Sequence, residues 1–131
     1  MAQSTIYKGG LLIGIAAGLL SASAASAGWT ANGEWARDDG LVRTRLAPCG
    51  GKICAINTWA NDPGGDERPG DEFVMTLIAT DPRHWTGSAF DARRNLNYSM
   101  DLTIEGRQLM TRGCLAGSSL CRTAAWTRVG K

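Results

Sequence analysis

The most reactive side chains in this 131-residue chain are four cysteines, Cys49, Cys54, Cys114 and Cys121. An even set of thiols can be oxidised in pairs or can hold a metal as thiolates. The spacings C-x4-C and C-x6-C are wider than the usual zinc knuckle. Of the three pairings open to four cysteines, they argue for two local bridges, Cys49–Cys54 and Cys114–Cys121. No metal site is expected. The one histidine, His84, stands near Asp81 and Asp91, and an imidazole–carboxylate pair is the usual equipment for acid–base chemistry. No nucleophile or second titrating partner is placed beside it, so it reads as a strand-start residue next to a turn. Asp66-Glu67 and Asp71-Glu72 would attract a cation, but Arg68 sits among them and a solvated charged loop accounts for all five. Asp38-Asp39-Gly40 reads as a hairpin turn, and no glycine-rich piece runs on into G-K-[ST]. A nucleophile, base and oxyanion set cannot be assembled. The expectation is a protein that is not an enzyme, with no catalytic residues and no cofactor.

What must position these residues begins with how the chain is divided. Residues 1–10 carry one positive side chain, Lys8, and no acid. Residues 11–20 (LLIGIAAGLL) are apolar throughout, and Ala25-Ser26-Ala27 meets the A-x-A rule of signal peptidase. Ten apolar residues are too few for a spanning helix, which needs roughly 20. The expectation is a signal peptide over residues 1–27, cleaved after Ala27, and a protein that is periplasmic or secreted with no stable membrane insertion afterwards. A single domain of 104 residues, 28–131, remains. It keeps 13 of the 14 Lys and Arg against 12 Asp and Glu, which gives no electrostatic case for nucleic acid as a partner. Four cysteines in a small exported domain again point to disulfides.

Period-2 alternation runs through this domain and helical periodicity does not. Over residues 95–105, Leu96, Tyr98, Met100, Leu102 and Ile104 fall on one face and polar residues on the other, as in a strand with one wet side. Strand patterns also cover residues 33–37, 41–47, 51–60, 72–80, 84–91, 107–114 and 119–129, with turn residues between them. Eight strands joined mostly by tight turns predict an all-β fold, a small antiparallel up-and-down barrel, because closure removes the exposed edges. A two-sheet sandwich is the rival. The strand phases put both cysteine pairs on the outside. The one long connection, residues 61–71, carries two Pro, three Gly and five charged residues and reads as a mobile surface loop.

Two stretches resemble a known family. Gly33-Glu34-Trp35 opens the first strand, and Trp126-Thr127-Arg128-Val129 ends the last. The pair is similar to the lipocalins and their calycin relatives, in which a basic side chain from the last strand lies over the tryptophan and closes one barrel end. The resemblance implies that Trp35 and Arg128 form this closure, by a cation–π contact worth about 0.5–2 kcal/mol. A second resemblance covers nearly all of residues 28–131. It is carried by Pro48-Cys49-Gly50, Glu67-Arg68-Pro69, His84-Trp85-Thr86-Gly87 and Arg112-Gly113-Cys114-Leu115-Ala116-Gly117, with Leu120-Cys121-Arg122 following. On these motifs the chain resembles the exported bacterial proteins of the DUF2147 group, a domain of unknown function. Two departures stand out: the loop around Arg68-Pro69 is shorter than in that group, and the turn after Asp91 reads Ala92-Arg93-Arg94-Asn95 where Pro and Gly are usual.

Five tryptophans invite a ligand-stacking role. Trp35 and Trp126 are assigned to barrel-end packing and Trp29 to a loose N-terminal segment. Trp59 and Trp85 have equal claims to core and pocket wall. Phe73, Met75, Leu77, Tyr98, Met100 and Leu102 point inward and would line any cavity. The functional expectation is a small apolar or amphipathic ligand held inside the barrel. The alternative is a protein-binding module, an envelope inhibitor or assembly factor, that presents the 61–71 loop to an envelope protein. A hollow lined by Tyr98 and Met100 favours the first; a filled barrel with an exposed apolar patch beside the loop favours the second.

Overall fold

The computed structural model describes residues 29–130. The expected signal peptide lies outside the described residues. Eight strands follow in chain order: β1 Gly33–Arg37, β2 Val42–Cys49, β3 Lys52–Ala60, β4 Glu72–Asp81, β5 His84–Asp91, β6 Leu96–Glu105, β7 Gln108–Leu115 and β8 Cys121–Arg128. Each pairs antiparallel with the next, and β8 pairs back on β1, closing the barrel. There are no helices among the described residues.

The alternation in β6 sets both the inner face and a gradient along it. Leu96, Tyr98 and Met100 are half-buried, whereas Leu102 and Ile104 are buried. On β7 Leu109 is buried and Thr111, Gly113 and Leu115 are partly exposed. One end of the barrel is therefore packed solid, and the other, at the 61–71 loop and the 92–95 and 116–120 turns, is open. We refer to these as the base and the mouth. The packed part gathers Trp35, Leu46, Ile53, Met75, Leu77, Trp85, Leu102, Ile104 and Leu109.

Two glycines allow the base to close. Gly33 has φ +123°, and a Cβ there would stand 3.0 Å from Arg128 Nη1, so the G-x-W glycine leaves room for the arginine to cross. At Gly87 a Cβ would fall 1.9 Å from the backbone oxygen of Thr76. Strands β4 and β5 meet at their observed spacing only because this inner position is bare.

The cysteines pair as expected, Cys49 with Cys54 at 2.09 Å and Cys114 with Cys121 at 2.12 Å. The first staples the β2–β3 hairpin at the base. The second links directly opposed residues of β7 and β8 at the mouth. Both follow the outward phase of their strands. Loops this short contribute roughly 2–3 kcal/mol each in the chain-entropy model, and their presence fits an oxidising, exported compartment.

Candidate functional site: an apolar hollow with an arginine-rimmed mouth

The base is sealed by the segment that precedes β1. Trp35 is fully buried, and its indole N–H donates to Ala31 O at 2.8 Å. The Arg128 guanidinium lies 4.4 Å from the Trp35 ring centroid. It donates to Asn32 O and Thr30 O, both at 2.7 Å. The closure thus holds carbonyls just before the first strand. Trp29 is not loose: it packs edge-on against Trp85 with ring centroids 5.1 Å apart and planes at 84°. An isolated tryptophan ahead of the first strand gave no sign of this, because its partner lies 56 residues on in sequence. Trp85 is fully buried in the core, and its Nε1 has no hydrogen-bond partner among the described residues. Trp59 faces outward, 44 % exposed.

Above this plug the barrel is hollow. A cavity of about 570 Å³ opens at the mouth, within the range of small-molecule sites. Leu46, Met75, Leu102 and Leu109 form its floor; Phe73, Tyr98, Met100 and Trp126 form its walls. Phe73 and Tyr98 lie ring to ring at 5.8 Å. Leu77 is not part of this lining: it points inward but sits one inward position nearer the base than Met75, inside the packed core. Trp126 belongs to the wall rather than to the end closure, and its indole N–H donates to Thr111 Oγ1 at 3.0 Å. The hollow itself could not be read from residue types, because the same inward side chains serve a filled or an empty interior.

Charge is concentrated at the mouth. Arg93 Nε donates to Asp71 Oδ1 at 2.6 Å and Nη2 to Asp71 Oδ2 at 2.9 Å. Arg94 donates through Nε to Asp66 Oδ2 at 2.7 Å and through Nη1 to the fully buried Asp91. Asn57 Nδ2 reaches Glu67 Oε1 at 2.8 Å and Arg68 O at 3.2 Å. The 61–71 loop is therefore tied to the barrel rather than free. Its acids meet the two arginines of the 92–95 turn, across a sequence gap that no local pattern crosses. Asn95 takes φ 56° to close that turn, a conformation asparagine tolerates well.

These bonds shift titrations in a consistent direction. The hydrogen bond from Arg93 holds the Asp71 carboxyl below its ordinary value; burial pulls the other way and is outweighed. The bond from Arg94 does the same for the exposed Asp66. Burial would lower Arg94, but Asp66 and Asp91 together outweigh it and hold the guanidinium above its ordinary value. Because the folded carboxylates are depressed, their contribution to the closed loop is complete above about pH 4 and is lost as pH falls through the lower folded values. Accordingly, amide protection at Gly70 and Asp71, whose N–H groups donate to Asn57 O and Arg68 O, should fall about tenfold between pH 6 and pH 3 while Leu102 in β6 stays protected. Hydrogen exchange followed by NMR checks this; equal protection at both pH values contradicts the latch.

His84 does not face Asp91. Its Nδ1 lies 2.9 Å from Thr80 Oγ1, and its Nε2 lies 3.4 Å from Asp101 Oδ1, away from the cavity. Among the described residues no three His, Cys, Asp or Glu side chains are grouped to hold a metal.

Comparison with known proteins gives the family described as "Uncharacterized protein conserved in bacteria" (DUF2147), which matches residues 33–128. No curated protein matches the chain. Among solved structures, a redesigned beta barrel is similar, with a TM-score of 0.53 and 16 % identity over 82 % of this chain and 96 % of that one. At that identity the likeness concerns the fold alone.

Proposed function

The chain belongs to the bacterial DUF2147 family, and we propose on that footing that its barrel takes up one small apolar or amphipathic molecule. The observation that carries this reading is the hollow of about 570 Å³, lined mainly by apolar side chains with Thr44, Asn57 and Thr111 among them and open at the mouth. Evolution toward stability alone would fill such a space, since a core is ordinarily packed to crystal density. Holding a ligand is the function that a pre-formed, mainly apolar pocket serves. The lipocalin-like closure by Trp35 and Arg128 supports the same reading, because it seals the base and leaves the mouth as the entry. We place the protein in the periplasm or outside the cell, after removal of residues 1–27, on the leader pattern and the disulfides.

The rival reading, a protein-binding module, draws on Ile56 and Trp59, exposed on the outer face of β3 beside the 61–71 loop. Native mass spectrometry of protein purified from its own cell envelope separates the two. A small mass bound one per chain is the expected result. A co-purifying protein on a barrel with no small mass would replace this reading with its rival.

A further inference from the structure

We infer that the ligand is a single-chain amphiphile with an anionic head, a carboxylate, and that Arg122 receives that head; the inference rests on the cavity reading above. Three arginines contribute to the cavity lining, Arg37, Arg94 and Arg122. Two are already engaged. Arg37 Nε donates to Asp39 Oδ2 at 2.9 Å, and Arg94 is bound to Asp66 and Asp91. Arg122 has neither a carboxylate within 4.0 Å nor a side-chain hydrogen bond among the described residues.

Its position gives that free charge a direction. Arg122 shares the inward phase of β8 with Ala124 and Trp126, and its cross-strand neighbour on β7 is Gly113. Gly113 carries no side chain, and Met100 Sδ fills the place, 2.9 Å from where a Cβ would stand, so the wall beside the arginine is apolar. Leu115 and Leu120 line the same rim, and Leu120 is 70 % exposed. A second hollow of about 440 Å³, between β8, the β1–β2 turn and the start of the 61–71 loop, shares Arg37, Arg122 and Ala124 with the first; its acids Asp38, Asp39 and Asp62 lie more than 4.0 Å from Arg122, and Asp39 and Asp62 face Arg37 instead. Arg122, an exposed residue in the lining of both hollows, therefore stands between an apolar well and water. An alkyl chain in the well leaves its polar end at that height, where the planar fork of an arginine can meet a carboxylate with two parallel bonds.

The acids of the lining do not compete for this role. Asp66 is bound by Arg94, and Glu67 accepts the Asn57 amide on the β3 side, nearly across the mouth from β8. Were Glu67 the receiving group, the ligand would be a cation.

Displacement of the uncharged fluorophore N-phenylnaphthylamine by dodecanoate, dodecanol and dodecyltrimethylammonium at neutral pH decides the matter. Dodecanoate is expected to bind about tenfold more tightly than dodecanol, the value of one charge-assisted contact at a wet rim. Arg122→Gln should remove that preference and leave dodecanol binding unchanged, while Arg122→Lys retains part of it. Equal binding of the acid and the alcohol, or a preference that survives in Arg122→Gln, overturns the assignment of Arg122 and leaves the cavity reading standing. A preference for the cation overturns the anionic head. Failure of all three to displace the fluorophore, or of the fluorophore to bind, overturns both.

Discussion

Trp35→Ala will lower the free energy of unfolding by about 3–5 kcal/mol, the range for removing a large aromatic from a core. Trp35 is fully buried, so the deletion forfeits its whole transfer energy and leaves a void at the base. It also removes the ring beneath Arg128 and the donor to Ala31 O. For a domain of this size, a loss of that order lowers the melting temperature by about 15 °C or more. Arg128→Ala alone costs less, because the arginine is partly exposed. A double-mutant cycle on the two should return a coupling of about 0.5–2 kcal/mol. Urea denaturation of the four proteins measures all of this. A loss below about 1 kcal/mol for Trp35→Ala would show that the base is not closed as described.

The second large effect is at the mouth. Arg94→Ala leaves Asp91, a fully buried carboxylate, without its guanidinium partner. One bond would remain, from the backbone N–H of residue 94 at 3.2 Å. Breaking one side of a buried pair in this way costs about 3 kcal/mol. The loss should exceed that of Arg93→Ala, because Asp71, the partner of Arg93, keeps a backbone bond from Arg68 at 3.0 Å and a second guanidinium, Arg94 Nη2, at 3.5 Å. Urea unfolding curves of the parent and the two variants at pH 7 check the order. A loss in Arg94→Ala no larger than that in Arg93→Ala contradicts the pairing.

The strands were legible because each carries its own two-residue repeat. The 95–105 run alone fixes which side chains of β6 face in. Boundaries moved where turn chemistry and pairing disagreed: β2 runs on through Pro48 to Cys49, since a proline near the end of a strand gives up little of the ladder. The closure of the base was legible through two short motifs; the arginine's bonds to Thr30 and Asn32, in the segment before the first strand, were not. What stayed hidden was long-range. Arg93 and Arg94 looked like a departure in a turn, and only the fold brings them to Asp66, Asp71 and Asp91. The 61–71 loop looked mobile because its charges have no partner within the loop. Leu77 shares its inward phase with Met75, but depth along a barrel is set by register and tilt, which alternation does not encode.

The account stands or falls on whether the space between Met75, Tyr98, Met100 and Trp126 takes up a molecule. The direct measurement is titration of the protein with N-phenylnaphthylamine, alone and with Ala124→Trp, a substitution that fills the cavity from the wall without touching the sealed base. One fluorophore bound per chain, abolished by Ala124→Trp at unchanged unfolding free energy, is the expected outcome. Binding that persists in the filled variant, or none in the parent, would mean that the hollow is not a binding site.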